Sequence, residues 1–317
     1  MTDGRIDTVD PDSQVVLDMV AASGRPPLHE AGVATAREGM RASRLLLGAT
    51  PPKTLVRDLA APGPGGAIPI RLYRPLGLPS DHQVPLLVYF HGGGWVLGDI
   101  ETGDAFCASL ADRIGIAVAA VDYRLAPENP FPAAVEDSVA ALDWLVANAA
   151  ELGLHADRVA VAGDSAGGTL AAVCALHARD RGGPALRAQI LLYPVTDLAM
   201  ASDSYRRNAN GYMLTADTMR WFIEQYLAGA DGNDWRASPL RAERVDGVAP
   251  ALIVTCGFDP LCDEGAAYAA RLAAADVPTR HLPYPRQVHG FAMWGKAARD
   301  AETLLCQVAD ELRERLS

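Results

Sequence analysis

The sequence predicts an α/β fold in which a mostly parallel sheet is flanked by helices. Two observations support this. The chain has 317 residues, which is enough to close one large domain around a hydrophobic core. Short, continuously apolar runs alternate with longer helical stretches from about residue 85 onward. Strands that are apolar throughout are typical of a parallel sheet whose two faces are both covered.

The first fifty residues precede this alternation and are predicted to form two helical segments, at 15–22 and 29–47. A hairpin is expected next, with strands at 55–60 and 68–74 around a turn rich in Gly and Pro. The apolar runs that follow predict strands at 85–90, 116–121, 158–162, 188–193 and 251–255. The clearest helices between them are expected at 133–150 and 166–178.

Residues 199–247 interrupt the alternation and contain an amphipathic piece at 216–227. With the N-terminal helices, this insertion has the position of a cap over the sheet. We therefore expect a helical cap made of residues 1–50 and 199–247, over a catalytic domain made of residues 51–198 and 248–317.

Composition excludes several classes of partner. The net charge is −11, from 28 basic and 39 acidic residues, and this disfavours binding to nucleic acid or to anionic membranes. No apolar run approaches the ~20 residues that span a bilayer, and the N-terminus lacks the pattern of a secretory signal. The five cysteines are spread along the chain without a C-x-x-C pair. We expect a cytoplasmic protein with buried, reduced cysteines, no metal site and no stable membrane insertion.

A G-x-S-x-G motif follows the strand predicted at 158–162 and precedes a helix. It comprises Gly163, Asp164, Ser165, Ala166 and Gly167. A serine on a tight turn between strand and helix approaches its neighbours closely, so small residues are required two positions on either side. The motif therefore predicts that Ser165 is a nucleophile, rather than only a helix cap. Asp164 either holds a neighbouring loop or is a solvated residue of the turn.

A glycine-rich loop, residues 91–95, follows the strand predicted at 85–90. Its residues His91, Gly92, Gly93 and Gly94 precede a tryptophan. Consecutive glycines allow main-chain amides to approach a substrate carbonyl, so this loop is expected to form part of an oxyanion hole. A phosphate-binding loop is the alternative, but the run lacks the P-loop Lys and the G-x-G-x-x-G pattern.

A serine nucleophile also requires a general base and a carboxylate that orients this base. His289 lies between the last predicted strand and the last helix, where its imidazole can reach back over the carboxyl edge of the sheet. Asp259 follows the strand predicted at 251–255, with Asp263 as the second candidate. The chain order Ser165, Asp259, His289 is the order found in one large fold of serine hydrolases.

These motifs resemble those of the bacterial hormone-sensitive-lipase-like family (family IV) of carboxylesterases, which has the α/β-hydrolase fold. The resemblance runs from about residue 55 to the C-terminus. It rests on HGGGW at 91–95, DYRLAPENPFPAA at 122–134, GDSAGG at 163–168, DPLCDE at 259–264 and HGF at 289–291.

The resemblance implies an eight-stranded, mostly parallel sheet and hydrolysis of short- to medium-chain carboxylic esters without a cofactor. It makes Ser165 the nucleophile, Asp259 the acid and His289 the base. The expected oxyanion-hole amides are those of Gly93, Gly94 and Ala166. Many members form homodimers, and an edge strand near 278–283 offers a surface for pairing with a second chain.

Two other functions use the same fold. An amidase or deacetylase has the same triad, and nothing in the motifs separates an ester from an amide substrate. A ligand-binding pseudo-enzyme, like the plant gibberellin receptors that resemble this family, lacks the catalytic histidine, whereas His289 is present here. The alcohol and acyl groups that are accepted depend on the cap. Six residues there are expected either to line the pocket or to form the core of the cap: Met40, Leu45, Tyr212, Met213, Trp221 and Phe222.

Overall fold

A computed structural model describes residues 8–79 and 82–317. Eight strands form one sheet in the order β1-β2-β4-β3-β5-β6-β7-β8. Only β2 runs antiparallel to its neighbours, β1 and β4, so the expected mostly parallel, eight-stranded sheet is confirmed. The strands are β1 Leu55–Gly63, β2 Gly66–Arg74, β3 Val84–Phe90, β4 Ala117–Val121, β5 Leu154–Asp164, β6 Leu186–Leu192, β7 Ala251–Phe258 and β8 Thr279–Val288.

Helices cover both faces of this sheet. They are α1 Pro11–Ala22, α2 Leu28–Ala31, α3 Val33–Leu47, α4 Ile100–Ile114, α5 Ala133–Ala147, α6 Ala166–Arg181, α7 Asp203–Arg207, α8 Ala216–Leu227, α9 Cys262–Ala274 and α10 Arg299–Leu316. Alternate residues of β3 separate two hydrophobic cores: Leu86 and Val88 pack with α5, α6 and α9, whereas Leu87 and Tyr89 pack with α4 and α10. Both faces of the central strands are therefore shielded from solvent, which explains why their sequences are apolar throughout.

Two expectations about local structure need correction. The helix predicted at 29–47 is broken at Gly32, which has φ of 76° and ends α2 before α3 begins. Glycine adopts this left-handed conformation without the steric penalty of a Cβ atom. The cysteines are all free, but Cys306 is exposed on α10 and Cys262 is only partly buried, so the expectation of five buried thiols is wrong for these two.

The N-terminal helices make two separate kinds of contact. On α1, the Ser13 hydroxyl donates a hydrogen bond of 2.6 Å to the Gln287 side chain, at the end of β8. On α2, His29 Nδ1 lies 3.2 Å from the Thr218 hydroxyl of α8. Thus α1 is anchored beside the sheet, while α2 joins α8. The cap boundaries and pairing of a second chain through β8, the edge strand, stay predictions.

None of the described helices, within residues 8–79 and 82–317, combines the length and the apolar composition that crossing a membrane requires.

Candidate active site

The turn that carries Ser165 is tight. Ser165 lies between β5 and α6 with φ of 55° and ψ of −120°, a conformation that a side-chain-bearing residue rarely adopts. The neighbouring glycines make this turn possible. A Cβ atom on Gly163 would lie 2.2 Å from the Gly167 carbonyl oxygen, and one on Gly167 would lie 1.9 Å from that of Phe90. The spacing of the G-x-S-x-G motif therefore reflects backbone contact.

Ser165, His289 and Asp259 form a continuous chain of hydrogen bonds. His289 Nε2 is 2.9 Å from the Ser165 Oγ, and His289 Nδ1 is 2.7 Å from the Asp259 Oδ2. Because the carboxylate can only accept a hydrogen bond, Nδ1 carries the proton and Nε2 presents a lone pair to the serine hydroxyl. Ser165 and His289 are each 8% exposed, and Asp259 is fully buried. The structure therefore brings together the three residues predicted from remote parts of the sequence.

Asp263, the second candidate for the carboxylate, has other partners. Its Oδ2 accepts a hydrogen bond of 2.8 Å from the amide of Ser204, and its Oδ1 is 2.9 Å from an Arg207 nitrogen. It lies in the first turn of α9, where a negative charge is favourable. The geometry thus favours Asp259 as the partner of His289.

The glycine-rich loop has three consecutive residues with positive φ: 128° at Gly93, 61° at Gly94 and 60° at Trp95. The Gly93 carbonyl accepts hydrogen bonds from the amides of Val96, at 3.1 Å, and Leu97, at 2.8 Å. These bonds close a turn over the sheet edge. Ala166 is the first residue of α6, and the first amides of a helix have no partner within it. Amides suited to binding a negative oxygen therefore occur on both the loop and the helix.

Asp164 joins this loop to the serine turn. Its Oδ1 accepts hydrogen bonds of 2.7 Å from the Gly92 amide and 2.6 Å from the Tyr89 hydroxyl. Burial, and then the nearby Asp164 charge, raise the pKa of Tyr89 well above its usual range, so this hydroxyl stays protonated and donates. Of the two interpretations of Asp164, the structure supports the one in which it holds the loop.

His91 supports the same loop from its first position. It is buried, and its Nδ1 donates a hydrogen bond of 2.8 Å to the Gly92 carbonyl. The Tyr123 ring stacks on the imidazole with centroids 4.4 Å apart, and the Tyr123 hydroxyl donates to the His91 carbonyl at 2.7 Å. His91 therefore contributes to the packing that holds the loop.

Two residues near the triad were not found from the sequence. The Tyr193 ring meets the His289 imidazole edge-to-face, with centroids 4.8 Å apart, and its φ is 38°. The Asn208 side-chain amide donates to the Gly257 and Asp259 carbonyls at 3.0 and 2.9 Å. Tyr193 follows β6 and Asn208 lies in the 199–247 insertion, so no local pattern marks either residue as part of the site.

Of the six possible pocket residues of the cap, one is exposed, one is buried and the other four are partly buried. Leu45 is 80% exposed, so the suggestion that it lines a pocket is wrong. Phe222, on α8, is buried and lies directly over the loop, because a Cβ atom on Gly94 would be 2.2 Å from its ring. The Phe222 side chain thus covers Gly94 of the glycine-rich loop.

The backbone contacts of the serine turn lead to a stability prediction. Gly167→Ala should lower the free energy of unfolding by about 3 kcal/mol, because the new methyl group would meet the Phe90 carbonyl. Gly39→Ala is the matched control, since nothing lies within 4 Å of its Cβ position and Gly39 is inside α3. Gly39→Ala should raise the free energy of unfolding by up to about 1 kcal/mol. Urea unfolding of both variants measures the difference; equal stabilities would contradict the prediction.

Within residues 8–79 and 82–317, no three His, Cys, Asp or Glu side chains are grouped as a metal site would require.

One family model and several known proteins match this chain. A family model described as the alpha/beta hydrolase fold matches residues 87–293. The chain is similar to carboxylic ester hydrolase LipN of Mycobacterium tuberculosis, at 49% identity over 243 residues, which are 74% of this chain and 64% of LipN. It is also similar to an ethyl acetate hydrolase of Pseudomonas putida, at 38% identity over 98% of this chain and 100% of that protein.

A solved structure of an ester-hydrolase from the Lake Arreo metagenome, complexed with a bipyridine phosphonate derivative, superposes with a TM-score of 0.93. It is 39% identical to this chain, and the match covers 97% of this chain and 99% of the other. The chain therefore belongs to the hormone-sensitive-lipase-like branch of the alpha/beta hydrolase family, as its motifs predicted.

Proposed function

We propose that this protein is a serine carboxylesterase that hydrolyses short- to medium-chain carboxylic esters through Ser165, His289 and Asp259. One observation carries the proposal: the unbroken hydrogen-bond chain from the Ser165 hydroxyl through the His289 imidazole to the Asp259 carboxylate. The order of the partners gives each residue a different task. The hydroxyl is placed to attack, the imidazole to accept its proton, and the carboxylate to hold the imidazole in the required tautomer.

In the first half-reaction, the Ser165 oxygen attacks the ester carbonyl carbon while His289 Nε2 accepts the hydroxyl proton. The carbonyl oxygen becomes negative and binds the amides of Gly93, Gly94 and Ala166. Each such donor is worth about 3 kcal/mol in the transition state. The bond to the alcohol oxygen then breaks, and His289 returns its proton to the departing alcohol. An acyl group remains on Ser165.

In the second half-reaction, water attacks the acyl carbonyl and His289 accepts a proton from that water. The tetrahedral intermediate is bound by the same amides. When it collapses, the bond to the Ser165 oxygen breaks and His289 gives the proton back to the serine. The products are a carboxylic acid and the free enzyme, so the chemistry of the cycle needs only these side chains, the amides and water.

The preference for short and medium acyl chains is supported by how closely the site is covered. Phe222 lies against Gly94, and Ser165 and His289 are both buried. A similar protein is named an ethyl acetate hydrolase, which is an enzyme for a short ester. We therefore expect the acyl group to extend only a limited distance from the carbonyl before it meets the cap.

A series of p-nitrophenyl esters from acetate to palmitate tests the proposal. We expect kcat/KM to be highest among the short and medium chains and to fall about tenfold or more by palmitate, because a long chain cannot be bound without displacing cap side chains. The matched anilides measure amide hydrolysis. Faster turnover of palmitate than of butyrate would contradict the predicted pocket, and preference for the anilides would instead support an amidase.

A further inference from the structure

Three arginines of α3 project from one face of the helix toward the glycine-rich loop. They are Arg37, Arg41 and Arg44, and their spacing of four and then three residues places them on the same side of an α-helix. Their partners lie in or next to residues 91–99, or at the serine turn. None of the motifs that predicted the active site includes α3.

Arg37 holds the far side of the loop. Its Nε donates a hydrogen bond of 2.8 Å to the Val96 carbonyl, and Nη2 donates one of 3.1 Å to the Ala126 carbonyl. The guanidinium also forms a two-pronged ion pair with Glu128, at 2.8 and 2.7 Å. The Val96 amide in turn donates to the Gly93 carbonyl at 3.1 Å. Fixing Val96 therefore fixes the turn that contains Gly93.

Arg41 holds the point at which the loop ends. It is ion-paired with Asp99, and this contact raises the pKa of the Arg41 guanidinium. Asp99 is the N-terminal cap of α4 and accepts a hydrogen bond of 3.0 Å from the Thr102 amide. Arg41 thus connects α3 to the residue at which the loop becomes a helix.

Arg44 reaches the serine turn itself. Its Nη2 is 3.5 Å from the Asp164 Oδ2, and the side chains are only 15% and 4% exposed. A buried carboxylate is costly unless it is paired with a positive charge or with hydrogen-bond donors. Asp164 also accepts the Gly92 amide, as described above. Arg44 therefore places a positive charge beside the carboxylate that anchors the start of the loop.

The conformation of the loop explains why outside support is needed. Of the three consecutive residues with positive φ, only Trp95 is not a glycine, and a strained residue of this kind persists only where its surroundings impose it. The strand before the loop and the helix after it hold its ends, and the Ala126 amide donates a hydrogen bond of 2.9 Å to the Trp95 carbonyl. The arginines restrain Val96 and Asp99 directly and Gly92 through Asp164, on both sides of the amides predicted to bind the oxyanion.

We propose that Arg37, Arg41 and Arg44 are positioning residues that hold residues 91–98 in the oxyanion-binding conformation, so that docking of α3 sets the rate of turnover. The inference rests on the proposed function for its kinetic consequence. Its structural consequence, an ordered loop, is independent of the substrate and can be measured separately.

The kinetic test compares Arg37→Gln and Arg44→Gln, the two substitutions that remove a direct contact to Val96 or to Asp164. We expect kcat for p-nitrophenyl acetate to fall about tenfold for Arg37→Gln and Arg44→Gln, with KM within about twofold, because oxyanion-hole contacts strengthen mainly in the transition state. The matched control is Arg25→Gln, an exposed arginine of the same N-terminal region that carries the same change in charge. Its kcat should equal that of the wild type.

Two further variants separate positioning from a general loss of stability. In an Asp164→Asn background, Arg44→Gln should change kcat by less than about twofold, because the two residues are expected to act through one another. Arg44→Lys should restore part of kcat, whereas Arg37→Lys should not, since an ammonium cannot replace the forked guanidinium that binds Glu128 and two carbonyls. Additive losses of kcat in the Asp164→Asn background would contradict the coupling.

Hydrogen–deuterium exchange provides the readout that does not depend on activity. Amides of residues 91–98 should exchange faster in the Arg37→Gln and Arg44→Gln proteins than in Arg25→Gln, while the amides of β5 exchange at the same rate in all of them. Unchanged exchange of the loop, or a lower Tm with unchanged kcat at 25 °C, would overturn the proposal. If the wild-type protein hydrolyses no ester, the proposed function fails, and exchange alone decides whether the arginines order the loop.

Discussion

Ser165→Ala should abolish ester hydrolysis, lowering kcat by at least about 10⁴-fold. The variant keeps the turn, the loop amides and the His289–Asp259 pair, but it has no oxygen that can attack the carbonyl carbon. The residual rate would come only from water acting in the assembled site. Steady-state hydrolysis of p-nitrophenyl acetate measures the loss, and covalent labelling by an organophosphonate, followed by mass spectrometry, shows whether any other residue reacts.

A second buried serine provides the control. Ser138, on α5, donates its hydroxyl to the Ala134 carbonyl at 2.7 Å and forms part of the packing between helix and sheet. Ser138→Ala should retain kcat within about twofold, because substitutions outside the reacting groups leave the transition-state contacts unchanged. Phosphonate labelling that persists in Ser165→Ala at the wild-type rate would show that Ser165 is not the nucleophile.

Asp259→Asn should lower kcat by about 10⁴-fold with little change in KM. The Asp259 carboxylate accepts a hydrogen bond from His289 Nδ1 at 2.7 Å, which leaves Nε2 unprotonated toward Ser165. An asparagine amide can donate to Nδ1 instead, and the proton would then sit on Nε2, where it blocks the nitrogen that must accept the serine proton. The side chains are nearly the same size, so the change tests the tautomer and the charge rather than the packing.

Asp263→Asn is the matched control for this substitution. Asp263 was the alternative carboxylate, it lies four residues further along the same segment, and it pairs with Arg207 and the Ser204 amide. We expect its kcat to remain within about threefold of the wild-type value. Of the two carboxylates, Asp259 is the one that is hydrogen-bonded to His289. A larger loss for Asp263→Asn than for Asp259→Asn would reverse the assignment of the acid.

Local chemistry explains which parts of the site were predictable from the sequence. The G-x-S-x-G spacing follows from contacts within five residues, and the structure shows those contacts at Gly163 and Gly167. Asp259 and His289 were identifiable because each follows a strand of a parallel sheet, and the carboxyl ends of such strands meet at one edge. The glycines of the loop were recognisable for a similar reason, since close backbone approach requires the absence of a Cβ atom.

The sequence by itself therefore determined the parallel sheet, the serine turn and the identity of the three residues whose side chains meet there. Only the tertiary structure decided how that constellation is held in place. The Tyr193 ring reaches His289 across nearly a hundred residues of chain, and Arg37 contacts a carbonyl that lies 59 residues away. Such contacts depend on where a whole helix or strand packs. A single arginine or tyrosine has no local signature that distinguishes a positioning residue from an ordinary surface or core residue.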